Sequence, residues 1–158
     1  MEIAVVLHNI RSIHNVGSIF RTADASGVKK IYLCGITPSP LDRFGKWRRD
    51  FTKVSLGAEK YLKWEKRRAT SKLLNELKKE GFKILAVEQS PKSIPYYNLT
   101  PADYKIKKIA LVLGNEVKGL PPVVLAAADK ILEIPMRGRK ESLNVAVAFG
   151  IIVYSLVS

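Results

Sequence analysis

The stretch from Glu2 to Cys34, EIAVVLHNIRSIHNVGSIFRTADASGVKKIYLC, decides the fold. Glu2 to Leu7 is a short apolar run, the pattern of a buried strand. From Asn15 to Ser26 the residues Val16, Ile19, Phe20 and Ala23 recur at helical spacing, and Gly27 offers a C-terminal stop. Lys30 to Cys34 returns to a strand pattern. Strand, helix and strand in this order predict a βαβ unit, and so a parallel sheet covered by helices.

The rest of the chain continues the alternation. Thr37 to Phe51 carries Pro38, Pro40 and Gly45 and reads as a loop or a short irregular helix, while Lys53 to Trp64 fits no single pattern. Thr70 or Ser71 caps a helix through Glu80, with Leu73, Leu74 and Leu77 on one face and Gly81 closing it. Lys83 to Val87 is a strand, Ser90 to Asp103 a loop rich in Pro and Tyr, and Ile109 to Leu113 a strand ending at Gly114. Pro121 or Pro122 starts a short helix through Ala128. Lys130 to Ile134 is the last strand and Ser142 to Val157 the last helix. No repeat, low-complexity tract or linker interrupts the chain. Residues 1–158 therefore read as one α/β domain with a mostly parallel sheet flanked by helices. In such sheets ligands sit at the carboxyl ends of the strands.

Composition narrows the partners. Lys and Arg total 27 against 14 Asp and Glu, a formal charge of +13. A folded domain this basic carries the electrostatic footprint of a nucleic-acid binder. The single cysteine, Cys34, forms no internal disulfide, which suits a reducing cytoplasm. No signal-peptide pattern opens the chain. Leu143 to Val157 is apolar, yet shorter than the roughly 20 residues a spanning helix needs, and Asn144 interrupts it. No membrane is expected. No Cys/His cluster has metal-ligand spacing, so no metal is expected either. His8 and His14 stand alone, and structural roles suit them as well as chemistry.

The usual nucleotide signatures are missing. Asn9-Ile10-Arg11-Ser12 follows the first strand instead of G-x-G-x-x-G, and Gly119 precedes Leu120 instead of the Lys of a phosphate loop. Three other segments stand out. They are Asn15-Val16-Gly17-Ser18-Ile19-Phe20-Arg21, Gly114-Asn115-Glu116-Val117-Lys118-Gly119-Leu120-Pro121, and the run from Ile134-Pro135-Met136 through Gly138 to Glu141-Ser142-Leu143-Asn144-Val145. In order and spacing they resemble the three motifs of the SPOUT superfamily, in its SpoU/TrmH-type RNA ribose 2′-O-methyltransferases. The resemblance spans nearly the whole chain. Lys140 departs from it, standing where relatives often carry an apolar residue.

The resemblance implies a C-terminal trefoil knot, bound S-adenosylmethionine and a homodimer with the active site near the interface. It implies methyl transfer to a ribose 2′-hydroxyl of RNA, with tRNA favoured over rRNA by the small size of the chain. Arg21 is then the catalytic arginine, and Asn15, Glu116, Ser142 and Asn144 support it. A guanidinium stays protonated, so Arg21 stabilises the developing alkoxide or clamps the adjacent phosphate and is not the base. Leu113, Gly114, Asn115, Ile134, Met136, Ser142 and Leu143 are the expected cofactor contacts, made largely through backbone. Arg11, Arg43, Lys46, Arg48, Arg49, Arg137, Arg139 and Lys140 are the expected phosphate contacts, and Trp47 among them suits base stacking. Asn15 also reads as a helix N-cap, and Ser142 and Asn144 as caps of the last helix. That helix is apolar almost all round, so it lies in the core or against a partner. The rival reading is a non-catalytic RNA-binding protein that retains the methyltransferase fold.

Overall fold

The computed structural model describes residues 1–157. Seven parallel strands form one sheet: β1 (Glu2–His8), β2 (Lys30–Cys34), β3 (Lys63–Arg67), β4 (Lys83–Val87), β5 (Ile94–Pro95), β6 (Lys108–Leu113) and β7 (Lys130–Glu133), in the order β3-β2-β1-β6-β4-β7-β5. The helices are α1 (Ile13–Ser26), α2 (Arg49–Ser55), α3 (Ala58–Tyr61), α4 (Thr70–Lys79), α5 (Pro122–Ala127) and α6 (Val145–Val157).

The alternation of side chains along a strand separates two cores. Ile3, Val5 and Leu7 of β1 join Val16, Ile19 and Phe20 of α1 and Phe149, Ile152 and Val153 of α6. Ala4 and Val6 face the other way, toward Leu73, Leu74 and Leu77 of α4 and Val124 of α5. Burial on both faces is why the central strands read as continuous apolar runs rather than alternating ones. On the first face the Phe20 and Phe51 rings meet edge to face, 4.9 Å apart. The register sets Leu7 opposite Leu113 and His8 opposite Cys34, so the loops leaving β1, β2 and β6 emerge side by side.

Several local expectations are corrected. Asn15 is not the N-cap of α1. The helix starts a turn earlier, and Ser12 caps it by accepting from the Asn15 N–H at 3.1 Å. Gly27, with φ of 81°, ends the helix as expected. Neither Thr70 nor Ser71 caps α4, whose N-cap is Ala69. The Thr70 hydroxyl is instead bonded to the His8 ring. The last helix starts at Val145, leaving Ser142 in the preceding loop, while Asn144 does cap it by accepting from the N–H groups of Ala146 and Val147. Residues 53–64 divide between α2, α3 and the start of β3. As an edge strand β3 exposes Lys63 and Lys66, so its pattern carries little apolar signal. The loop after β2 is pinched by an isolated bridge between Leu41 and Trp47.

Candidate functional site

The loops after β1, β6 and β7 meet at the carboxyl edge of the sheet, and side chains lock them together. Glu116, beyond β6, accepts from the N–H groups of Arg11 (3.0 Å) and Ser12 (2.9 Å) and from the Asn15 amide (3.2 Å). Asn15 is buried, and its Oδ1 accepts from Nδ2 of Asn144 at 3.0 Å. Asn144 uses its own Oδ1 to cap α6. The direction of donation is consistent along the whole chain Asn144 to Asn15 to Glu116, which fixes the orientation of both amides. Partial burial pushes the Glu116 carboxyl up. The N–H groups of Arg11, Ser12 and Glu116 itself, with the Asn15 amide, outweigh it and hold the group below its ordinary range.

These three residues enclose one side of a cleft of about 550 Å³, within the size range of small-molecule sites. Leu113, Gly114, Asn115, Ser142 and Leu143 line it. A smaller, more apolar recess continues from it between Val87, Leu132, Ile134, Met136 and Leu143. All seven expected cofactor residues thus gather around one connected space. Sequence reasoning missed its floor, formed by Val87, Glu88 and Gln89 at the carboxyl end of β4. The signal was the strand ending at Val87, because the carboxyl ends of strands are where such sites form.

The glycines here serve the protein before any ligand. A Cβ on Gly114 would stand 2.7 Å from the Gly119 carbonyl carbon, and one on Gly119 would stand 2.1 Å from Oε2 of Glu88. Glu88 in turn accepts from the Leu120 N–H at 2.9 Å and so holds the turn shut. Asn115 closes the same turn, accepting from Val117 and Lys118 and donating to the carbonyl of Asn9.

Arg21 is not brought into this cleft. It is exposed on α1, six residues and about 9 Å of helix beyond Asn15, on the stripe that carries His14 and Ser18. Among the described residues its guanidinium has no ion-pair partner. His14, Asn15, Ser18, Thr22, Asn144, Ala146, Val147 and Gly150 border a separate shallow depression between α1 and α6. Of the expected phosphate contacts, Arg11, Arg43, Lys46, Arg49, Arg137, Arg139 and Lys140 are exposed, while Arg48 is half-buried and pairs with Asp50 at 3.5 Å. Phe44, unnoticed in the sequence, is 72% exposed and lies under the Arg43 guanidinium, 4.9 Å from ring centre. Among the described residues no group of three or more His, Cys, Asp or Glu is placed to hold a metal ion, and no helix is long and apolar enough to cross a membrane.

Comparison with known proteins gives a consistent set of likenesses. The profile of the SpoU rRNA Methylase family matches residues 2–154. The chain is 36% identical over 153 residues to the tRNA (guanosine(18)-2′-O)-methyltransferase of Aquifex aeolicus, covering 97% of this chain and 67% of that protein. The crystal structure of the A. aeolicus TrmH/SpoU tRNA modifying enzyme superposes with a TM-score of 0.82 at 34% identity, over 98% of this chain and 73% of that one. An AdoMet-bound rRNA methyltransferase from Sinorhizobium meliloti superposes with a TM-score of 0.87 at 30% identity, over 98% and 55%. The chain spans about three-fifths to two-thirds of the length of the curated relatives it matches.

Proposed function

The chain belongs to the SpoU rRNA methylase family, and from that membership we propose that it is an S-adenosylmethionine-dependent methyltransferase acting on a ribose 2′-hydroxyl of RNA. The observation that carries the reading is the charge of the cleft. In a chain of +13, the space between the three motifs is lined by Glu88, Glu116 and Glu141. An acidic island in a basic protein suits a small ligand bearing cationic groups, such as a sulfonium and an ammonium, while the surrounding surface suits a polyanion. The recess of Ile134, Met136, Leu143 and Leu132 offers an apolar slot for a flat base. S-adenosylmethionine supplies a methyl group activated by the sulfonium.

This chain's own residues hold and orient. Ser142 and Leu143 line both parts of the cleft, and Leu113, Gly114 and Asn115 form its wall. Glu116, Asn15 and Asn144 fix the wall in place. Arg21 serves the developing alkoxide or the neighbouring phosphate. The tRNA named for the A. aeolicus relative favours tRNA over rRNA for this chain too. We extend the proposal to a homodimer. Val147 and Tyr154 leave an apolar stripe of α6 uncovered, and the stripe of His14, Ser18 and Arg21 on α1 lies beside it. Pairing through these helices carries Arg21 to the seam, which answers its distance from the cleft of its own chain. We also propose one domain over residues 1–158, supported by the family match over residues 2–154, with the segment after β7 threaded as a trefoil knot. The buried lone Cys34 suits a cytoplasmic protein.

The non-catalytic alternative keeps one specific support. Asn15, Glu116 and Asn144 hydrogen-bond mainly to one another and to backbone, so their presence together serves the fold as well as a reaction. Calorimetric titration with S-adenosylmethionine separates the readings. Saturable micromolar binding near one per chain is expected. A folded protein that binds none at millimolar concentration would be the RNA-binding module. Arg21→Ala is expected to abolish methyl transfer while leaving cofactor affinity unchanged.

A further inference from the structure

The two charged edges of the sheet differ in kind. Lysines open five strands, at Lys30, Lys63, Lys83, Lys108 and Lys130, and so mark the amino edge. Every arginine except Arg21 lies at the carboxyl end of a strand or between there and the first residue of the next helix. Several amino-edge lysines are already engaged. Lys30 pairs with Glu65, Lys130 with Asp103, and Lys108 donates to the Glu80 carbonyl. The planar guanidinium fork matches phosphate better than an ammonium does.

Two cavities run along the carboxyl edge outside the cleft. One, of about 620 Å³, lies beyond β1 and β6 between His8, Asn9, Arg11, Ile36 and Lys118. The second, of about 370 Å³, lies beyond β2 and β3 between Gly35, Lys66, Arg67 and Arg68. Ile36 borders the first and its chain neighbour Gly35 the second, and Asn115 borders both the larger cavity and the cleft. Hydrogen bonds tie down most of the polar groups on the floor of this edge. Asn9 donates to Nε2 of His8 (3.3 Å), so Nδ1 carries the proton and donates to the Thr70 hydroxyl at 2.7 Å. Burial lowers the His8 pKa and keeps that ring uncharged. Lys66 spends its ammonium on the carbonyls of Gly35 and Thr37, and Arg67 is paired with Glu65 and Glu76. The side chains of Arg11, Arg68 and Lys118 are exposed and, among the described residues, form no ion pair. Ile36 and Val117, 62% and 90% exposed, stand between them as apolar contacts for a base or sugar.

We propose that this edge, from Arg68 beyond β3 through Arg11 to Lys118 beyond β6, is a track for the RNA backbone that leads from the cleft toward β3. The three strand steps it crosses span about 14 Å. The inference rests on the RNA reading above and adds the path the substrate takes. The test compares two pairs of substitutions with the same loss of charge. Arg68→Ala with Lys118→Ala removes two track cations, whereas Lys63→Ala with Lys83→Ala removes two exposed cations from the opposite edge. The probe is bulk tRNA, with affinity measured across a salt series.

The track pair is expected to weaken binding at least tenfold at low salt. It should also make the slope of log affinity against log salt shallower by about 1.4–1.8, at roughly 0.7–0.9 per phosphate contact. The edge pair should lower affinity by no more than about twofold and change the slope by less than about 0.7, the value of one phosphate contact, and S-adenosylmethionine affinity should be unaltered in both. Equal losses in the two pairs, or none in the track pair, would overturn the track and leave the RNA reading standing. Failure of the unaltered protein to bind RNA would overturn both.

Discussion

Asn144 holds two structures with one amide: its oxygen caps α6 and its nitrogen holds Asn15. The two jobs separate by substitution. Asn144→Ala loses both, about 1 kcal/mol for the cap and about 1 kcal/mol for the lost bond to Asn15. Asn144→Asp keeps the cap, with a charge that a helix N-terminus favours, but sets a carboxylate against Oδ1 of Asn15. Thermal unfolding should therefore show a smaller loss for Asp than for Ala, with methyl transfer reduced in both. Equal losses of midpoint would mean that the retained cap does not exceed the repulsion set against Asn15. Glu116 gives a pH signature. Its folded pKa lies below the ordinary value of 4.5, so its contribution is present above that value and is lost as pH falls through the folded pKa. Midpoints recorded from neutral pH downward should decline below about pH 4.5, and Glu116→Gln should flatten that decline in part. Asp103 and Glu65, also lowered, keep the remainder.

At the scale of elements, α6 carries the most consequence. Phe149 is fully buried between α6 and the sheet, and Phe149→Ala should cost about 3–5 kcal/mol in denaturant unfolding. The opposite face carries Val147, 52% exposed, which the fold of one chain does not need. Val147→Glu should leave the unfolding midpoint of the protomer nearly unchanged and convert a dimer to a monomer in sedimentation velocity. An unaltered chain that sediments as a monomer would sink the proposed dimer. Elements with one exposed face or few residues were the hardest to read from sequence. β3 lies at the edge and, among the described residues, pairs only with β2, and β5 has two residues, so neither offers an apolar run. The strands buried on both faces, β1, β2, β4 and β6, were legible because burial on two sides demands apolar residues throughout.

Across the whole molecule, the sequence by itself determined the alternation of strands and helices, the two-sided sheet and the basic surface, because each follows from local pattern or composition. It also marked the three segments that line the cleft. Only the tertiary structure decided how those segments are joined. The bonds from Glu116 to Arg11 and Ser12 and from Asn144 to Asn15 span more than a hundred residues, and no local pattern encodes a partner at that separation. The same holds for Glu88, which reads as an ordinary polar residue until β4 and the turn at Gly119 are brought together. Arg21 was legible as a residue but not as a place: helical spacing put it on the exposed stripe of α1, and packing left that stripe outside the cleft of its own chain. The order of strands in the sheet decides which loops share an edge, and that order is set by long-range packing rather than by any stretch of residues.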